Sequence, residues 1–507
     1  MKKKIVELSK AEKFFSAFKK KGKSIILCHG VFDLVHIGHI KYFEEAKKKA
    51  DLLIVSLTPD KFINKGPGRP YFNNEQRIHS ISSLEIVDFV ILNDSPDSIK
   101  LIKSIKPDIY FKGQDYKDYS KDTTGKIKLE ENSVKSIGGK IAFSSQEMFS
   151  SSSLLNKFTN VLNEKQKKFL QFLKTNFNFD DFKNHVNELK KLKVLVIGEV
   201  IIDEYVFCEA LGKSGKESVL ALREQKKEKY LGGILPIAKN VSNFCNEVSI
   251  ISYLGENENQ LDFIKKNVNK KIKKFFVKKN DSPTIIKRRY LDKVDRKKIL
   301  GVYKINDDEI TKNNETKILN QLKKNIKNFD LVLVADYGHG LLTTNIKKYL
   351  IKNSKFLVVN AQVNSSNISY HNLSKYNDID ALVINASELR QELRSRDGDI
   401  QGLSENLKQI LKLKNILVTK GKDGAILINK KNQSYECPAF ANNVIDKVGA
   451  GDTLLALFSV FKASKKFNDE VCLFVASLAA GYSVQNLANE LSIDKNYILK
   501  SLQHLIK

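Results

Sequence analysis

The sequence predicts an α/β protein made of two doubly wound domains, on three observations. Short apolar runs rich in Ile and Val alternate with stretches of helical spacing, the pattern of a parallel sheet covered on both faces. The alternation occurs twice, over 23–160 and again from 191 to the C-terminus, with no internal repeat between the halves. At 507 residues the chain exceeds one ordinary core, so two or three domains are expected.

The elements follow in order. Residues 1–22 are basic and read as an N-terminal helix. In 23–160 the strands are SIILCHGVFD, DLLIVSLT, VDFVILN and PDIYFKG, and HIKYFEEAKKKA, NEQRIHSISSL and SPDSIKLIKSIK are the helices between them. Segment 161–190 is charged, lacks Gly and Pro, and reads as a helical linker. The third segment, 191–507, offers the strands VLVIGEV, EVSIISYLG, LVLVADYG, KFLVVNA, ALVINA, NILVTKG and AILINK. It closes with the helices TLLALFSVFKA and EVCLFVASLAAGYSVQ.

Composition narrows the function. With 42% hydrophobic and 28% charged residues the chain can bury sizeable cores. No apolar run approaches the roughly 18 residues that span a bilayer, so no membrane partner is expected. The basic start has no apolar core of a secretion signal. Five scattered cysteines, never at C-x-x-C spacing, argue against a disulfide framework or zinc site and for a reduced, cytoplasmic location. The net charge of +28 is mostly lysine spread along the chain. Without a compact basic stripe and interleaved aromatics it argues against nucleic acid and for attraction of small anions.

HGVFDLVHIGHIKYF places three of the 8 histidines within eleven residues, directly after a strand. Open parallel sheets bind ligands at the carboxyl ends of their strands. Gly30 lets the backbone approach a ligand closely. His36 and His39, three apart, share a helix face, and Gly38 between them leaves room for a phosphate chain. The helix N-terminus adds amide donors and positive potential. Imidazole donors there stabilise charge growing on a nucleotide's α-phosphate as pyrophosphate leaves.

GVFDLVHIGH resembles the HxGH signature of the cytidylyltransferase-like nucleotidyltransferases. HIGH also occurs in class I aminoacyl-tRNA synthetases, but their KMSKS-type loop is missing here. The match extends through KGPGRPYFNNEQRIHSISSLEIVDFVI (65–91), KPDIYFKGQDY (106–116) and FSSSSLLNKF (149–158). These resemble the nucleotidyltransferase half of the bifunctional heptose kinase/adenylyltransferase family of lipopolysaccharide synthesis. The resemblance implies a Rossmann-like domain in which Phe32, Asp33, His36 and His39 border a triphosphate and Lys65 offers it a mobile cation. It implies further that Gly113, Asp115 and Tyr116 shape the base and sugar pocket, and that Ser151 and Ser152 match the hydroxyls of the family's S-T-T. Gln114 stands where the family has glycine.

IDKVGAGDTLLALF (445–458) is the strongest signal in the C-terminal half. Gly449, Ala450 and Gly451 make a tight turn opening an apolar helix, whose free amides form an anion hole for a transferring phosphoryl group. Asp452 is placed to take the proton from an attacking hydroxyl. This segment and its surroundings resemble the ribokinase-like sugar kinases, the kinase half of the same bifunctional family. The resemblance implies an α/β/α domain with a small β lid. Asp203 would bind sugar hydroxyls, and Gly232-Gly233 would form the substrate lip. Asn385 and Glu388, from N-x-x-E, would organise Mg2+, directly or through its waters. Asn385, Thr419, Lys420 and Gly421 would floor the nucleotide site.

The departures from the family cluster in the sugar-binding half. Pro236 replaces an asparagine, Asn360-Ala361-Gln362 replaces D-P-K, and KSGKESVLAL differs from S-x-E-x-P-V-P; apart from these three, His339 stands where the family has lysine. With the phosphate-transfer parts kept, an altered sugar is expected rather than lost activity. The domain order is also reversed, because the heptose family places its kinase first. The expectation is a bifunctional enzyme making ADP-heptose or a related activated sugar. Its kinase would phosphorylate a sugar phosphate, heptose 7-phosphate at C1 by the resemblance. Its transferase would couple a sugar 1-phosphate to ATP, or CTP, releasing pyrophosphate. The alternatives are another activated sugar, or a kinase-like domain that only senses a sugar phosphate. A homodimer is implied by resemblance alone.

Overall fold

The structure, a computed structural model, describes residues 4–118, 122, 125–145, 162–175, 177–214, 217–257, 260–363, 367, 372–441 and 444–506. The chain forms two compact units, one of Met1–Glu164 with Leu499–Lys507 and one of Lys165–Ile498.

The first unit is built on five parallel strands, β1 (Ile25–Gly30), β2 (Leu52–Leu57), β3 (Phe89–Leu92), β4 (Ile109–Lys112) and β5 (Lys140–Phe143). Their order is β3-β2-β1-β4-β5, so the winding reverses between β1 and β4. That reversal opens a crevice at the carboxyl ends, where such sheets take ligands. Successive β1 residues face opposite layers. Ile26 and Cys28 pack with Phe43, Val55 and Phe111 on one side, and Ile25 and Leu27 pack with Phe15, Leu101 and Ile102 on the other. The N-terminal helix covers only Ala11–Lys20, and ahead of it Ile5 bridges to Val90. β5 is a short strand with an exposed residue, too weakly patterned to be read from sequence.

In the second unit the strands are β6 (Lys193–Gly198), β7 (Val200–Lys213), β8 (Leu220–Gly233), β9 (Glu247–Asn257), β10 (Lys273–Pro283), β11 (Ile285–Asp292) and β12 (Lys298–Lys304). They continue with β13 (Leu331–Asp336), β14 (Leu357–Ala361), β15 (Ala381–Asn385), β16 (Asn415–Thr419), β17 (Ala425–Ile428) and β18 (Ser434–Cys437). Nine form one sheet, β10-β9-β6-β13-β14-β15-β16-β17-β18, parallel up to β16 and antiparallel beyond. The other four form the small lid, β12-β11-β7-β8. The helices Ala450–Ala463 and Asp469–Ser483 are apolar nearly all round and buried.

Where the sequence suggests a linker, two helices, Glu164–Thr175 and Phe179–Glu188, carry aromatic anchors into this unit. Phe169 packs against Phe440 and Phe474, Phe182 against Phe461 and Phe467, and Gln166 Nε2 donates to the Ala439 carbonyl at 2.6 Å. No helix among the described residues is long and apolar enough to cross a membrane.

Candidate active sites

In the first unit β1 delivers its last residues to the crevice, and His36 caps the helix Ile37–Lys47 that follows. His36 Nδ1 accepts from the Gly38 amide at 3.1 Å, which leaves the ring proton on Nε2, the opposite edge. The His36 and His39 rings stack with centroids 4.0 Å apart. Burial, with help from His36 and Lys65, holds His39 down at about 3, and burial also lowers His36. Both rings are therefore neutral at pH 7 and act as hydrogen-bond donors rather than cations.

Other residues expected at the triphosphate support these rings from behind. Phe32, at φ 47°, is buried edge-on to His39 with centroids 5.3 Å apart. A Cβ on Gly30 would lie 3.0 Å from the Phe32 ring, so packing against that ring also restrains this position to glycine. Asp33 is buried, and its carboxylate accepts from the amides of Tyr71 and Phe72 at 2.9 Å and pairs with Arg69 at 3.6 Å. It thus anchors the loop that carries Lys65. Burial is the main cause that lowers Lys65 to about 8, and Asp33 opposes it. The third histidine, His29, is a satisfied core residue between Ser56 Oγ and Thr58 Oγ1 at 3.1 and 3.3 Å.

Gly113, Asp115 and Tyr116 follow β4 in a short turn. Behind it lies a buried ion pair that the sequence reading missed. Lys112 Nζ sits 3.2 Å from Glu130, whose carboxylate also accepts from Ser98 Oγ at 2.8 Å. Arg77 was missed as well. Fully buried, its guanidinium donates to the carbonyls of Val31, Thr58 and Phe72 and to Asp60 and Asn74, tying together the loops after β1 and β2. Ser151 and Ser152 lie outside the described residues.

The second unit holds a cavity of about 300 Å³ lined by Asp203, Gly233, Gly449, Gly451 and Asp452 among the expected residues. Tyr337 donates to Asp452 Oδ1 at 3.0 Å. Burial is the chief cause that raises Asp452 to about 6; the nearby Asp203 adds to it, while Tyr337 and Lys287 oppose it. Asp203, on β7, pairs with Arg289 and presses on the glycine pair, since a Cβ on Gly232 would lie 2.4 Å from Asp203 Oδ2. Glu199 accepts from the amides of Tyr337, His339 and Leu341, which fixes the loop presenting Tyr337.

The two glycines of the turn differ. Gly449 has φ 86°, and a Cβ there would strike Asn489 Oδ1 at 1.8 Å. Gly451 is exposed, with nothing within 4 Å of a Cβ, so the protein itself does not require a glycine there. Between them the helix Ala450–Ala463 begins, and its leading amides have no intrahelical acceptor.

Asn385, Glu388, Thr419, Lys420 and Gly421 do not line the cavity. They lie at the carboxyl ends of β15 and β16, where Asn385 and Thr419 are paired in register. Asn385 caps the next helix, its Oδ1 accepting from the Glu388 amide at 2.9 Å and its amide donating to Glu388 Oε2 at 2.8 Å. Burial pushes Glu388 up to about 7. Among the described residues no three His, Cys, Asp or Glu side chains cluster as a metal cage. One buried carboxylate beside an amide oxygen fits Mg2+ carried on nucleotide phosphates and met through water. Lys420 pairs at the surface with Glu436 at 2.9 Å.

Of the departures from the family, Gln362 lines the cavity, and Pro236 and Asn360 do not. Pro236 sits in the first turn of the helix Ile234–Ser242, where no intrahelical bond is lost, and Asn360 Nδ2 donates to the Val383 carbonyl. His339 is buried, with Nδ1 2.6 Å from Asp307. KSGKESVLAL spans the turn from β7 to β8, with 215 and 216 outside the described residues. Lys287, Arg289, Tyr337 and Lys447 also line the cavity, and the sequence reading singled out none of them.

Comparison with known proteins agrees with this division. The pfkB family carbohydrate kinase profile matches residues 191–496, and the cytidylyltransferase-like profile matches 27–158. The nucleotidyltransferase-like domain therefore precedes the kinase domain. The bifunctional protein HldE of a Nitratiruptor species is 31% identical over 297 residues, 58% of this chain and 62% of the relative. The bifunctional protein HldE of Campylobacter jejuni subsp. doylei is 39% identical over 128 residues, 24% of this chain and 28% of the relative. Each match thus spans less than two thirds of the relative's length. In fold, a mutant of phosphofructokinase-2 from Escherichia coli is similar, at 12% identity and TM-score 0.51 over 62% of this chain and 100% of that one.

Proposed function

Because the chain belongs to the pfkB family of carbohydrate kinases, we propose that it makes a nucleotide-activated sugar with two separate active sites. The kinase site phosphorylates a sugar phosphate, heptose 7-phosphate at C1, with ATP. The transferase site couples a sugar 1-phosphate to ATP and releases pyrophosphate, giving ADP-heptose. The observation that carries the reading is Asp452, held at the mouth of a glycine turn in a cavity that opens to solvent, on a chain that also stacks His36 on His39 at a sheet crevice.

In the kinase site Asp203 and Arg289 meet the sugar, and Asp452 receives the proton of the attacking hydroxyl. The amides at the start of the helix Ala450–Ala463 receive the phosphoryl oxygens. Mg2+, met through water by Asn385 and Glu388, would supply charge neutralisation on the nucleotide phosphates. In the transferase site His36 donates from Nε2, and His39 stands with it against the α-phosphate. Lys65 offers a cation from a loop that Asp33 anchors. Five buried, free cysteines are in keeping with work in a reduced cytoplasm. Gln362, the departure that reaches the cavity, is where a sugar other than heptose would be selected.

The test is a phosphorus NMR time course with D-glycero-D-manno-heptose 7-phosphate, ATP and Mg2+, run beside Asp452→Asn. A new anomeric phosphate, absent in the variant, is the expected result. No turnover by a wild-type protein that still binds ATP would overturn the heptose assignment.

A further inference from the structure

Four lysines are buried among the described residues, namely Lys112, Lys279, Lys287 and Lys347. Three of them have acceptors: Lys112 meets Glu130, Lys279 meets the carbonyls of Asn306 and Asp308, and Lys347 meets Asp336. Lys287 alone takes no side-chain hydrogen bond or ion pair from the described residues, although only 9% of its surface is exposed. A desolvated ammonium with no acceptor is costly to maintain, so a site that keeps one is built for an anion.

The surroundings say which anion. Lys287 lies on β11 in register with Asp203 on β7, and it lines the cavity together with Gly449, Gly451 and Asp452. The rings of Tyr337 and Tyr303 flank it at 5.8 and 5.9 Å. Tyr337 is also the donor to Asp452, so one residue borders both the ammonium and the carboxylate. Arg289, two residues along the same strand, is already neutralised by Asp203, whereas Lys447 is exposed. The uncommitted charge is therefore at the reacting end of the cavity.

We propose that Lys287 is a further catalytic residue of the kinase site, the cation that holds the phosphoryl group during its passage from nucleotide to sugar. The inference rests on the kinase reading above and adds a residue to it. In the step, the acceptor hydroxyl gives its proton to Asp452 and its oxygen forms a bond to the γ-phosphorus. The bond from that phosphorus to the bridging oxygen breaks, and ADP leaves with the electron pair. Lys287 stays protonated and donates to a non-bridging oxygen as negative charge shifts within the transferring group. Burial lowers its pKa, which the carboxylates of Asp203, Glu199 and Asp452 oppose.

The test uses the full chain and Lys287→Met. With sugar phosphate present, kcat falls about 10²–10³-fold, and KM for the sugar phosphate changes by less than about threefold. Without sugar, calorimetry in Mg2+ shows that the wild-type preference for ATP over ADP is lost, with ADP affinity kept as the check on folding. Lys287→Arg recovers part of kcat. A rise in KM with kcat unchanged would overturn the proposal, because Lys287 would then hold the phosphate the sugar already carries. An unchanged ATP preference would overturn it too. Since calorimetry needs no sugar, it decides the role of Lys287 even if heptose 7-phosphate is not the substrate. Should Lys287→Met not bind ADP, Lys287→Gln carries the same measurements with the same outcomes.

Discussion

Asp452 is asked to be a base from a half-buried position in the wall of the cavity, and its titration records the conflict. Burial raises it to about 6, above the roughly 3.9 of a free aspartate. The folded state therefore binds this proton more tightly than the unfolded chain. The stability it lends is complete below pH ~4 and is lost as pH rises through about 6. Asparagine mimics the protonated form. Asp452→Asn is expected to lower kinase turnover by about 10²–10⁴. It should also gain stability relative to wild type, by on the order of 1 kcal/mol more at pH 8 than at pH 5. Thermal melts at the two pH values check the sign, and an equal difference at both would contradict it. The wild-type kinase rate should fall on the acid side with an apparent pKa near 6. Asp452 was legible in the sequence because a glycine turn and its carboxylate are contiguous. Lys287 was not, since KRRY in a lysine-rich chain reads as a solvated face until β11 closes over the cavity.

At the scale of the element, the turn that opens the helix Ala450–Ala463 separates two reasons for glycine. Gly449 combines a left-handed backbone with a neighbour at 1.8 Å from any Cβ, whereas Gly451 has neither constraint. Gly449→Ala is therefore expected to destabilise the protein, through strain and displacement of Asn489. Gly451→Ala should leave stability unchanged or raise it by up to about 1 kcal/mol, as alanine does inside a helix. Its methyl group nevertheless projects where phosphoryl oxygens must approach, so kinase turnover should fall at least tenfold. Melting temperatures read beside kinase rates test the pair. A fully active Gly451→Ala would remove the anion hole from this turn. The buried sheets were legible because Ile and Val runs with short helical spacers leave few alternatives. The lid strands β7, β8 and β12 were not, because β7 ends in an exposed stretch, β8 carries a continuous charged run and β12 is exposed along its whole length, as in a loop. The same limit applied at His36, where spacing indicated a helix start but not that Gly38 would donate to the ring and fix its tautomer.

For the whole molecule, the order of the two domains could be read from motifs, but the limits of the compact units could not. Segment 161–190 reads as a linker because its charged face dominates the pattern, and the purpose of its phenylalanines shows only once Phe440, Phe461 and Phe474 are in place. Leu499–Lys507 groups with the first unit, across nearly the full length of the chain, which no local pattern reveals. The first unit has one sheet and the second has two, and each unit has its own buried side chains. On the proposed chemistry the kinase product bears two phosphates, and the transferase needs a sugar with one, at C1. A phosphatase must remove the other between the steps, so the intermediate leaves the protein. Two sites joined only by a diffusing intermediate should complement one another in trans. A mixture of Asp452→Asn and His39→Ala chains, each lacking one activity, is therefore expected to form ADP-heptose in the presence of a separate phosphatase. At equal total protein the rate should be about half that of wild type, since each site is present on half of the chains. Either variant alone should form product at least about a hundredfold more slowly than wild type. Far slower product from the mixture, with each single step at its full rate, would mean that the intermediate passes within one chain.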